Sequence, residues 1–118
     1  MEARAEMITE SRLQQLCFLW HWNTYPADRG YLWMQYNNAK NAEHGAILRG
    51  MGLVAGVADL AYLSPSGRMV YIEMKRPGEK QSDKQKWWQE LVTRRGAEYH
   101  VIDTLEEFQN LIQSLQNK

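Results

Sequence analysis

Cysteine is nearly absent: Cys17 is the only one in 118 residues. A single thiol forms no internal disulfide, and a cysteine-based zinc site lacks its ligands, so a reducing compartment is expected. Net charge is missing too, because 14 Lys and Arg balance 14 Asp and Glu. No global field draws the chain to a polyanion or a membrane, and any such affinity must come from a local patch. No apolar run approaches the roughly 20 residues that span a bilayer. The opening Met1-Glu2-Ala3-Arg4-Ala5-Glu6 is charged and has no signal-peptide core. These absences predict a cytoplasmic, intracellular protein with no membrane partner. Repeats, low-complexity tracts and linkers are also lacking, and the length fits one domain over residues 1–118.

Common catalytic signatures are missing as well. His21, His44 and His100 show no metal-ligand spacing, and there is no Walker A, His-Glu-x-x-His, zinc-finger or Gly-x-Ser-x-Gly pattern. Gly50-Met51-Gly52-Leu53-Val54-Ala55-Gly56 superficially resembles a dinucleotide loop, but its third glycine is one residue late and it precedes a strand. No nucleotide cofactor is expected.

What is present alternates between helix and strand. Thr9 or Ser11 can cap a first helix running to about Trp22, with Leu13, Leu16, Cys17 and Trp20 as its buried face. Residues 31–36, Tyr-Leu-Trp-Met-Gln-Tyr, read as a strand, and a helix follows from Ala39 to about Met51. Asp59 to Leu63 and Arg68 to Lys75 read as a hairpin about the turn Ser64-Pro65-Ser66-Gly67, where proline presets one dihedral and glycine tolerates positive φ. Ser82 or Asp83 caps a helix to about Arg95, with Trp87 and Leu91 on its apolar side and Trp88 as a further candidate there. Glu98 to Ile102 is a short last strand, and Asp103 or Thr104 caps a final helix with the stripe Leu105, Phe108, Ile112 and Leu115. The fold class is α/β, a small mixed sheet flanked by helices.

The chemistry concentrates in the hairpin. Asp59, in Gly56-Val57-Ala58-Asp59-Leu60, and Glu73, in Tyr71-Ile72-Glu73-Met74-Lys75, interrupt apolar runs. A carboxylate in such a place must be hydrogen-bonded, paired or bound to metal. Strand alternation points Glu73 and Lys75 to one side and Ile72 and Met74 to the other, and Asp59 on the partner strand can reach Glu73's side. Two carboxylates, with the Met74 main-chain carbonyl as a third ligand, suit Mg²⁺ or Mn²⁺. With a metal-bound water and Lys75 as base or as stabiliser of developing charge, such a site can hydrolyse a phosphodiester. The alternative is a surface hairpin carrying a salt bridge.

The run Gly56-Val57-Ala58-Asp59, then Ile72-Glu73-Met74-Lys75-Arg76-Pro77, then a glutamine in the next helix, resembles the VRR-NUC family of the PD-(D/E)XK nuclease superfamily. The likeness runs from about Glu10 to about Glu106 and is best to the short, single-domain members of phages and bacteria. It implies a restriction-endonuclease-like αβββαβ core. It makes Asp59 and Glu73 metal ligands, Lys75 the catalytic lysine, Gln85 the supporting helix glutamine and Glu10 a carboxylate of the metal environment. Gln81 rivals Gln85, one turn away. Asn37, or Asn38, matches the asparagine the family often carries after the first strand. One departure is Ala58, where the family usually has proline before the first acid. The resemblance further implies a homodimeric endonuclease for branched DNA such as four-way (Holliday) junctions. Flap or DNA-end cutting by the same site, or a non-catalytic DNA-binding protein on the same fold, are the alternatives.

Arg76, Lys80, Lys84 and Lys86 cluster near the acids and can contact phosphates; a solvated helix start is the plainer reading. The five tryptophans, Trp20, Trp22, Trp33, Trp87 and Trp88, are expected mainly in the core or a dimer interface, with stacking on unpaired bases the rarer use.

Overall fold

The computed structural model describes residues 8–36 and 40–117. The elements run α1 (Glu10–Thr24), a 3-10 turn (Pro26–Asp28), β1 (Leu32–Met34), α2 (Ala42–Gly50), β2 (Leu60–Leu63), β3 (Met69–Met74), α3 (Asp83–Thr93), β4 (Glu98–Ile102) and α4 (Leu105–Gln116). The sheet order is β1-β2-β3-β4. The first three strands are antiparallel, and β4 returns parallel to β3 with Glu73 opposite Val101. This is the expected α/β architecture, with β1 and β4 as edges.

Each long helix starts on a side-chain cap. Thr9 accepts from the Arg12 N–H, Ser82 from Gln85 and Thr104 from Glu107, satisfying amides the helix leaves free. The hairpin turn closes as its composition requires: Gly67 has φ +86° and its N–H reaches the Ser64 carbonyl at 2.8 Å.

The main core lies between the sheet and the pair α1 and α4. Leu13 and Cys17 of α1 and Phe108, Ile112 and Leu115 of α4 pack with Leu60, Tyr62, Val70, Ile72 and Met74. Burial drives the Cys17 thiol up to about 12, so it is a packing residue and not a nucleophile. His21 joins the buried face of α1, where Leu16 was expected, because Asp28 gives its ring a partner at 2.8 Å. α3 covers the opposite face of β3 and β4. It does so through Trp88, edge-on to Tyr71 and Tyr99 at centroid distances of 4.7 and 6.0 Å. Trp87 and Leu91, expected on its buried side, are 53% and 42% exposed. The tryptophans are also less central than their composition implied, since Trp22 and Trp33 are each 40% exposed. Among the described residues, no helix is long and apolar enough to cross a membrane.

Candidate active site

The two acids are held by different parts of the hairpin's open end. Asp59 stands one residue before β2, and its Oδ2 accepts the Met74 N–H at 2.7 Å. Its own carbonyl accepts the Gln35 N–H at 2.9 Å, while Gln35 Nε2 donates to the Ala58 carbonyl at 3.1 Å. Asp59 is thus fixed to β1 through its main chain and to β3 through its side chain. The approach to it depends on Gly56. At φ +91°, a Cβ there would lie 2.4 Å from the Lys84 carbonyl oxygen, so only glycine lets this loop rest on the start of α3.

Glu73 is wholly buried. Its Oε1 accepts from the Tyr99 hydroxyl and from Gln81 Nε2, the latter at 3.1 Å. Gln81 Nε2 also donates to Gln89 Oε1 at 2.8 Å, which fixes the amide's orientation. Glu73 Oε2 has no hydrogen-bond partner. Burial first, then the hydrogen bond to Glu73 and the charges of Glu73 and Asp59, push the Tyr99 hydroxyl well above its ordinary range. Tyr99 therefore stays a donor, and Asp59 lies close enough to be felt at the Tyr99–Glu73 contact.

Lys75 shares Glu73's side of the strand and is half-buried, with its N–H on the Ile102 carbonyl at 2.9 Å. Its ammonium acts on two further carboxyls, Glu10 at the start of α1 and Glu79 in the loop after β3. Burial, a hydrogen bond to Glu79 and repulsion from Glu79 and Asp59 raise Glu10, against the pull of Lys75. Glu79 is lowered by the hydrogen bond from Glu10 and by Arg76 and Lys75. Glu10 thus belongs to the same neighbourhood, but its carboxyl is engaged with Glu79.

The structure brings Asp59, Glu73, Met74, Lys75 and Glu10 together. It gives the place beside Glu73 to Gln81, because Gln85 serves the helix instead: Gln85 Oε1 accepts the Ser82 N–H at 2.8 Å, completing a capping box. Arg76 forms an ion pair with Glu79, while Lys80, Lys84 and Lys86 are exposed around the start of α3. Asn37 and Asn38 lie outside the described residues. Tyr99, Gln89 and Glu79 were not singled out in the sequence. Only the parallel register that sets Tyr99 beside Tyr71, on Glu73's face, brings the hydroxyl in.

Among the described residues, no group of three or more His, Cys, Asp and Glu side chains is arranged to hold a metal by itself. Mg²⁺ does not need one, since it keeps several waters and takes one or two carboxylates together with substrate phosphate. A buried acceptor without a partner is costly, and Glu73 Oε2 is one, close to a second anchored carboxylate. The donor set fits a hard divalent cation.

The model of the VRR-NUC domain family matches residues 3–104. A solved structure described as a VRR-NUC domain protein superposes with a TM-score of 0.77 at 20% identity, covering 96% of this chain and 92% of its own. A second, described as a VRR-NUC domain, gives 0.58 at 20% identity, covering 88% and 94%. No curated protein matches.

Proposed function

The chain belongs to the VRR-NUC family, a family of nuclease domains, and from that membership we propose that it is a divalent-metal-dependent endonuclease for branched DNA such as four-way junctions. The observation that carries this reading is Glu73: fully buried, held by Tyr99 and Gln81 through one oxygen, and left with the other unpartnered near Asp59 and Lys75.

Asp59 and Glu73 would hold Mg²⁺ or Mn²⁺. The Met74 carbonyl would be a further ligand, since an extended residue directs its N–H and C=O to the same neighbouring strand and the Met74 N–H already meets Asp59. When bound, the cation makes its water more acidic and offsets charge building on the phosphate. Tyr99 and Gln81 orient Glu73 so that Oε2 faces outward from its hydrogen bonds. Lys75 either aligns the attacking water or stabilises negative charge on the phosphate oxygens. Lys80, Lys84 and Lys86 would contact DNA phosphates, the sequence-independent part of binding. A homodimer would set two such sites on opposing strands of a junction.

The test is cleavage of a labelled four-way junction, a flap and a plain duplex, each with Mg²⁺, Mn²⁺ or EDTA. Paired nicks in the junction, lost in EDTA, are expected. Preferential cutting of the flap assigns the same site to flap processing. No cutting of any DNA leaves a DNA-binding protein. Solution mass with and without DNA tests the dimer.

A further inference from the structure

Between the first half of α1 and β1 a groove of about 580 Å³ opens beside Asp59. Three rings line it, Phe18, Trp33 and Tyr36, together with the amides of Gln14 and Gln35. Trp33 and Tyr36 are 40% and 50% exposed. Among the described residues, Asp59 is the only charged one that lines it. Gln14 is half-buried and makes no side-chain hydrogen bond among the described residues. Gln35 is pinned by Nε2 on the Ala58 carbonyl at 3.1 Å.

We propose that this groove takes one unpaired nucleobase of the strand being cut, adjacent to the scissile phosphate. The proposal rests on the nuclease reading above and names how that site would select its DNA. The lining has the chemistry a base requires: π-faces for stacking, which tolerate any base, and fixed amides for its hydrogen-bonding edge. Among the described residues no Lys or Arg lines the groove, so its rings and neutral amides offer a phosphate nothing to pair with. An apolar side chain from a second protein would cover the Gln14 amide and leave it unsatisfied, at a cost. Asp59 joins the two functions, because it both lines the groove and belongs to the pair of acids. A base that leaves the stack at a branch point enters the groove, and its phosphate is carried towards Glu73 and Lys75. Fully stacked duplex offers no such base.

The experiment is binding in EDTA, by fluorescence anisotropy, of two branched DNAs that differ at one position. One carries an unpaired thymine at the branch and the other an abasic site there. The wild type should bind the thymine DNA about tenfold more tightly, the worth of one base–aromatic stack. Tyr36→Ala should bind the two DNAs alike, and Gln14→Ala should narrow the difference between them. Equal wild-type affinities, or a preference that survives both substitutions, would overturn the proposal. The outcome separates from the nuclease reading: base-dependent binding without cleavage of any DNA keeps the groove and removes the nuclease, and metal-dependent cleavage with base-independent binding does the reverse.

Discussion

Asp59 accepts the backbone N–H of Met74 through Oδ2 at 2.7 Å, so the first acid is also a structural plug for the end of β3. The two roles separate by substitution. Asp59→Asn keeps a carbonyl acceptor for Met74 and should retain the wild-type melting temperature within a few degrees while losing cleavage by 100-fold or more. Asp59→Ala leaves that N–H without its partner and should cost a further 1 kcal/mol or so of stability. Thermal melts and single-turnover cleavage of both variants measure the difference. Equal stability of the two would show that the contact contributes nothing.

Glu73→Gln removes a charge from a fully buried site whose Oε2 has no partner. The amide oxygen can still accept from Tyr99 and Gln81. Stability should therefore hold or rise by about 1 kcal/mol, because the burial cost of the carboxylate disappears. Cleavage should disappear with it. A loss of more than about 1 kcal/mol in denaturant titration would mean that the carboxylate is a structural group.

Gln81 and Gln85 are told apart by what each substitution damages. Gln81→Ala removes a hydrogen bond to Glu73 and should slow cleavage about tenfold or more with little change in stability. Gln85→Ala breaks the reciprocal cap on Ser82 and should cost about 0.5–1 kcal/mol of stability. A larger rate loss for Gln85→Ala than for Gln81→Ala would return the supporting role to Gln85.

That pair shows where the sequence was legible. The alternation of elements, the hairpin turn, the Thr9, Ser82 and Thr104 caps and the stripe of α4 all follow from local chemistry and periodicity, and they stand in the structure. α3 buries Trp88 alone of the three residues its pattern offers, because its inner side also faces a buried carboxylate. Trp88 shares that side with Gln89, whose Oε1 accepts from Gln81 in the loop before the helix, so a polar residue occupies a face that hydrophobic patterning assigns to solvent. Trp87 and Leu91 consequently point outward. Tyr99 depends on a parallel register between distant strands, which no local pattern encodes. The buried His21 depends on Asp28, seven residues away across the 3-10 turn.

Asp28 links acid stability to that turn. Burial raises its carboxyl, but hydrogen bonds from Tyr62, His21 and Gln116 outweigh this and hold it below the ordinary range. Oδ2 takes all three, at 2.6, 2.8 and 2.9 Å. A carboxyl lowered on folding adds stability that is fully present above its unfolded value of about 4 and is lost as pH falls through the folded value. Asp28→Asn should therefore destabilise the protein at pH 7 and flatten the decline in melting temperature between about pH 5 and pH 3. A parallel decline in variant and wild type would contradict this.

Gly56→Ala tests the seat of the first acid. The left-handed conformation and the 2.4 Å approach to Lys84 oppose any side chain. At least about 2 kcal/mol of stability should be lost, and cleavage should fall because Asp59 is only three residues on. Full stability in Gly56→Ala would show that the loop can leave α3 freely.

The most direct measurement is Mn²⁺ binding by calorimetry in the absence of DNA, on the wild type, Asp59→Asn and Glu73→Gln. The account predicts saturable binding by the wild type that weakens at least tenfold in each variant while both remain folded. Undiminished Mn²⁺ affinity in the folded variants would contradict it.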